Sequence, residues 1–154
     1  MMSAEVQKTK DQVPKLVQNL KDRGGFSTFE IMEQIRLTLP AVVKFNLRNE
    51  LKLIKDELLP FTKKEAYSVP YNIPLHVYEL IISLRKAFDD EERCEYATVL
   101  RLRFDRSSMM NKEDDAFDLH STIESAKMLA RFYFRRNQYD ALDDVLNSVI
   151  DCIE

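Results

Sequence analysis

The chain has 154 residues, of which 45% are hydrophobic and 32% charged, and its formal net charge is −3. This composition excludes a disordered chain and suits one globular domain, or two small lobes that share a core. The longest apolar runs, at residues 39–43 and 80–82, are far shorter than the roughly 20 residues that cross a bilayer, so we expect no membrane association.

Glycine and cysteine are both scarce. The two glycines, Gly24 and Gly25, are adjacent, which leaves little material for tight β-hairpins and makes helix the default. Cys94 and Cys152 form no short metal-type pair and suit a reducing compartment as ordinary buried thiols. We therefore expect a mainly α protein of the cytoplasm or the nucleus.

Charge is distributed unevenly along the chain. Residues 1–75 carry 12 Lys and Arg against 9 Asp and Glu, whereas residues 76–154 carry 11 against 17. We predict a lobe at 1–72 that binds an anion and a helical lobe at 73–154 that binds a protein partner.

Helix signals are clear near the N-terminus. Asp11 can cap a first helix that ends at the two glycines, with Pro14 in its first turn. Ser27 and Glu30 form a capping box, so a second helix begins at Thr28 and ends near residue 36.

A third helix is predicted from a cap at Thr38, with Pro40 in its first turn, to residue 58 or 59 before Pro60. At 100° per residue it has one apolar side and, beside it, a cationic stripe. The stripe comprises Lys44, Arg48, Lys52 and Lys55. The next segment, 61–70, reads as a short extended ribbon with Lys63 and Lys64 at its tip.

Residues 12–70 resemble the winged helix-turn-helix superfamily in the order helix, glycine turn, short capped helix, longer helix, ribbon. The string EIMEQIRLTLPAVVKFNLRNEL is similar to the family pattern E-I-A-x-x-x-G-L-S-x-x-x-V-x-x-x-L. The matching residues are Glu30, Ile31, Leu37, Thr38, Val43 and Leu47. Arg36 stands where the family has a turn glycine, and one extra residue lies between Thr38 and Val43.

The resemblance implies that the third helix enters the major groove of double-stranded DNA. Lys44, Arg48 and Asn49 would then approach base edges, with less weight on Asn46, which lies away from the stripe. Lys52, Lys55, Lys63 and Lys64 would contact phosphates. The alternatives are a solvated basic face, or a winged helix that binds only protein.

The C-terminal lobe reads as four helices. One begins at Pro74, and a second is capped by Asp89 and Asp90 and followed by a loop at 105–115. Helices at 116–136 and 139–152 would form an antiparallel hairpin, which resembles a single tetratricopeptide unit. Their surplus of apolar residues predicts a homodimer or a protein partner.

The sequence favours no catalytic chemistry. His76 and His120 lie in different predicted helices, and glycine-rich phosphate loops and nucleophile motifs are lacking. We expect no metal and no cofactor. The leading hypothesis is therefore a non-enzymatic DNA-binding regulator of mainly α fold, with a three-helix N-terminal lobe and a short β wing. The alternative hypotheses are a helical protein-interaction adaptor that binds no nucleic acid, and a helical enzyme using His76 or His120.

Overall fold

The computed structural model describes residues 3–22, 28–65, 74–114 and 117–154, with the backbone alone at 28–29 and 59–65. These ranges form helices joined by short turns and contain no strand. The helices are α1 (Ala4–Asp22), α2 (Thr28–Lys44), α3 (Arg48–Glu65), α4 (Leu75–Ser83), α5 (Asp90–Ser108), α6 (Leu119–Arg135) and α7 (Tyr139–Ile153).

The predicted β wing is wrong. The described part of that segment, residues 61–65, continues α3 as its last turn, so Pro60 lies inside a helix and does not end it. Lys63 and Lys64 are consequently helical residues and not the tip of a ribbon. The remainder of the predicted wing, 66–70, lies outside the described residues. The mainly α class is confirmed.

The first helix starts earlier than predicted. Ser3 caps it by accepting a hydrogen bond from the Val6 amide at 3.2 Å, so Asp11 and Pro14 both lie inside α1. Its apolar face is formed by Val13, Leu16, Val17 and Leu20, which are all buried.

Helix α2 begins at Thr28 as predicted, and runs eight residues beyond the predicted end at residue 36. Thr38 does not cap a new helix. Its hydroxyl instead donates to the Gln34 carbonyl at 2.8 Å, the bond of a threonine inside a helix. Pro40 is likewise enclosed in α2.

The real break between α2 and α3 lies at residues 45–47, where Asn46 has φ of 52°. The Leu47 amide donates to the Val42 carbonyl at 3.0 Å, and the Asn46 amide donates to the Val43 carbonyl at 3.1 Å. This is a Schellman motif with asparagine in the left-handed position. The predicted third helix is therefore the end of α2 plus α3.

The α6–α7 turn repeats this ending. Asn137 has φ of 58°, and the Gln138 amide donates to the Tyr133 carbonyl at 2.9 Å. Helix α5 starts with a reciprocal capping box between Asp89 and Glu92, and α6 starts at the cap Asp118. Helix α5 also extends to Ser108, into the segment predicted as a loop.

One hydrophobic core contains side chains from each of the described helices α1 to α7. Helix α1 packs along both α2 and α3, while α5 is central to the rest and contacts α3, α4, α6 and α7. Among the largest fully buried side chains are Tyr78, Phe88, Tyr96 and Phe104. Burial raises the pKa of Tyr78 and Tyr96 well above the ordinary tyrosine value, so both phenols stay neutral. Packing of α4 and α5 against α2 and α3 places the α4–α5 turn beside the start of α3.

Candidate nucleic-acid interface

The structure separates the residues that the sequence places on one DNA-reading helix. Lys44 ends α2, whereas Arg48, Asn49, Lys52 and Lys55 occupy the first turns of α3. Lys44, Arg48 and Asn49 are exposed, and the Lys44 ammonium lies 5.3 Å from the centre of the neighbouring Phe45 ring. Of Lys63 and Lys64 the structure gives the backbone only.

Two of the predicted phosphate contacts are engaged by carboxylates. The Lys52 ammonium lies 2.6 Å from an Asp56 carboxylate oxygen one turn along α3. The Lys55 ammonium lies 2.7 Å from Glu92 on α5 and 5.6 Å from the centre of the Phe88 ring, and its side chain is 24% exposed. Lys55 therefore connects α3 to α5, and its charge is less available to a ligand than that of Arg48.

A cleft of about 570 Å³ between α4, α5 and α6 gathers more cationic side chains than the predicted stripe. Its apolar floor includes Ile82, Met128 and Phe132. Five arginines line it together with the carboxylates of Glu79 and Asp90, and the arginines are Arg85, Arg93, Arg131, Arg135 and Arg136. We call this site the arginine cleft. Its side chains carry three more positive than negative charges.

Two of these arginines hold the walls of the cleft together. The Arg93 Nε donates to the Ile82 carbonyl at 2.6 Å, and this bond fixes α5 to the end of α4. The Arg136 guanidinium pairs with Asp90 and lies 5.3 Å from the centre of the Phe132 ring. The hydrogen bond to Asp90 raises the pKa of Arg136 above its ordinary value.

The other three arginines face solvent. The Arg131 Nη1 lies 3.7 Å from the Glu79 Oε1. Both side chains are more than half exposed, so this ion pair is weak. Arg85 and Arg135 are exposed and pair with no carboxylate in the part of the chain that the structure describes. Their exposed guanidinium groups can bind an anion.

Consecutive residues of the α4–α5 turn link the arginine cleft to a pocket at the start of α3. Arg85 lines the cleft, and the next residue, Lys86, lines a smaller pocket of about 250 Å³ together with Arg48. Arg48 and Lys86 line the smaller pocket and Arg85, Arg131 and Arg135 line the cleft, and we call these five cations the basic band. It contains one residue of the predicted stripe and four residues that were not predicted from the sequence.

The sequence gives little indication that those four residues form a binding surface. Arg85 and Lys86 follow α4, and Arg131 and Arg135 lie in the last turns of α6, where basic residues are common because they interact favourably with the helix dipole. Their significance comes from the packing of α4 against α6, which periodicity does not report.

Both histidines lie outside the arginine cleft. His76 on α4 pairs with Glu33 on α2, His120 is exposed in the first turn of α6, and neither lines the arginine cleft. Across the described ranges, His, Cys, Asp and Glu form no group of three or more that could hold a metal ion. Cys94 and Cys152 are free thiols.

Comparison with models of protein families, with curated proteins and with solved structures finds no match to this chain. Of the helices described here, none has the length and apolar character needed to cross a membrane.

Proposed function

We propose that the protein is a non-enzymatic DNA-binding protein whose basic band lies against the duplex, with Arg85, Lys86, Arg131 and Arg135 on the phosphate backbone. The observation that carries the proposal is the arginine cleft, where five guanidinium groups meet two carboxylates. Guanidinium is planar, always charged and matched to phosphate oxygens in a bidentate geometry. An arginine-rich surface with solvent-facing members therefore suits a phosphodiester backbone.

The arrangement of α1, α2 and α3 supports a role for the start of α3 in the same complex. A three-residue turn joins α2 to α3, and α1 packs on both, as in the three-helix core of helix-turn-helix proteins. Arg48 and Asn49 are exposed in the first turn of α3 and have the chemistry to bond guanine and adenine edges. In this proposal the arginine cleft supplies affinity and the start of α3 supplies any sequence preference.

The proposal is tested by titrating a fluorescein-labelled 30-base-pair duplex with the protein and following fluorescence anisotropy at several salt concentrations. We expect Arg131→Gln, Arg135→Gln to weaken binding by at least about tenfold at 0.1 M salt and to reduce the slope of log K against log salt by about 2. Both side chains are exposed, so their loss should leave the fold unchanged.

A matched control removes two cations from a different surface. Lys8 and Lys15 are exposed on α1 and line a separate pocket with α2. The variant Lys8→Gln, Lys15→Gln changes net charge by the same amount and should keep wild-type affinity and salt slope. Equal weakening in both variants, or no binding by the wild type at low salt, would contradict the proposal.

A second variant separates the two parts of the interface. Arg48→Gln should reduce affinity and, across duplexes of different sequence, should narrow the spread of affinities, because Arg48 is the proposed base contact. A uniform loss for all duplexes would instead make Arg48 another phosphate contact.

A further inference from the structure

Helix α7 is packed on one side only. Val145 and Cys152 are buried on the side that faces α6 and α5. Four large apolar side chains on α7 are nevertheless about half exposed: Tyr139 at 51%, Leu146 at 44%, Ile150 at 51% and Ile153 at 60%. Steps of seven, four and three residues place them in one line along the helix. We call this line the α7 stripe.

The stripe extends beyond α7 at its N-terminal end. Phe134 on α6 is 61% exposed, and its ring meets that of Tyr139 edge to face, with 6.2 Å between the ring centres. Contiguous apolar surface of this kind is uncommon on a monomer unless it binds something.

The border of the α7 stripe is strongly acidic. Five exposed carboxylates lie beside the stripe on the solvent-facing side of the helix. They belong to Asp140, Asp143, Asp144, Asp151 and Glu154. Residues 139–154 contain no Lys or Arg. An apolar line with a negative border is complementary to a helix that has an apolar line and a positive border.

This charge pattern decides between two occupants. A second copy that used the same face would bring two acidic borders together, and the resulting repulsion opposes the homodimer predicted from the sequence. A basic amphipathic helix would bury the same apolar side chains and pair its cations with the carboxylates.

We propose that the α7 stripe is a docking surface for an amphipathic helix of a partner protein, with apolar residues three and four positions apart and flanking Lys or Arg. The surface involves neither the arginine cleft nor the basic band, so the proposal is independent of DNA binding.

The test uses a fluorescein-labelled 14-residue peptide of leucine and lysine, with leucines at helical spacing, in an anisotropy titration against the full chain. The control peptide has the same composition with leucine and lysine alternating. We expect the helical peptide to bind at least about tenfold more tightly than the alternating one, because only its leucines share one helical side. Equal binding of both peptides, or no binding of the helical one, would overturn the proposal.

Variants of the chain locate the peptide. Leu146→Ser, Ile150→Ser should weaken binding at least about tenfold, and Asp143→Asn, Asp144→Asn should weaken it at low salt but little at high salt. Leu37→Ser is the matched control, since Leu37 is 66% exposed on α2. An unchanged affinity in the Leu146, Ile150 variant would contradict the docking surface. If light scattering shows that the wild type is a dimer and that this variant is a monomer, the occupant of the stripe is a second copy of the chain and not a partner protein.

Discussion

At the scale of single residues, two asparagines determine where helices end. Asn46 and Asn137 both adopt the left-handed conformation, which is costly for most residues, and each closes a Schellman motif. The sequence pattern predicts that Asn46 lies inside a helix, because the apolar spacing from Val43 to Leu47 continues across it. Periodicity alone cannot detect a three-residue turn that keeps the apolar residues at helical spacing. The asparagine before Leu47 is the sequence signal that indicates the end of a helix there.

Substitution of Asn46 distinguishes these two structures. With φ positive, Asn46→Ala should lower the free energy of unfolding by about 1 kcal/mol, and Asn46→Gly should leave it equal or slightly higher. Inside a helix the order would reverse, because alanine is the better helix former there. Urea unfolding followed by circular dichroism measures both, and the same pair of changes at Asn137 serves as an internal comparison.

Helix caps make stability depend on pH in the acid range. Hydrogen bonds from the Ser121 hydroxyl and amide lower the pKa of Asp118, and the Glu92 amide lowers the pKa of Asp89. Because these folded-state pKa values lie below those of the unfolded chain, near 3.9, the stabilisation is complete above about pH 4 and is lost as pH falls through the folded values.

Asp118→Asn tests this linkage because asparagine still caps a helix but does not titrate. We expect this variant to be less stable than the wild type at pH 7 and to equal it near pH 2, while Asp118→Ala loses the cap and about 1 kcal/mol at pH 7. Asp151→Asn, at an exposed position in the last turn of α7, is the control. A difference between wild type and Asp118→Asn that does not shrink with acid would contradict the assignment.

At the scale of elements, the largest difference between expectation and structure concerns α2. Thr38 followed by Pro40 resembles the start of a helix, since threonine is a good cap and proline suits a first turn. The same two residues are accommodated within α2, where Met32, Ile35, Leu39 and Val42 continue one buried line. Tertiary burial of that line outweighs the local start signal, and a single sequence does not show this.

Pro40→Ala tests the continuity of α2. Pro40 is exposed and lacks the amide that would bond the Arg36 carbonyl, so alanine should raise the free energy of unfolding, by up to about 3 kcal/mol. Thr38→Ala should be neutral or slightly stabilising. If Thr38 capped a helix, that change would instead cost about 1 kcal/mol and Pro40→Ala would gain nothing. Urea unfolding measures both variants.

At the scale of the whole molecule, local signals predicted much of the helix content, including the start at Thr28, the cap at Asp89 and the close of α6 before Tyr139. They did not predict how the charged side chains are distributed over the surface of the folded chain. Residues 76–154 are acidic in sum, yet the arginine cleft lies within them, because the carboxylates of α7 line none of it. Packing of the helices brings the cations of the basic band together, so the net charge of a sequence segment does not reveal it.

The most direct test of DNA binding by the basic band is nuclear magnetic resonance of the arginine Nε–Hε groups during titration with a 30-base-pair duplex. We expect the Arg85, Arg131 and Arg135 signals to shift together with the backbone amides of Arg48 and Asn49, while the amides of Lys8 and Lys15 stay in place. Shifts confined to α1, or no shift at a low salt concentration, would contradict the account.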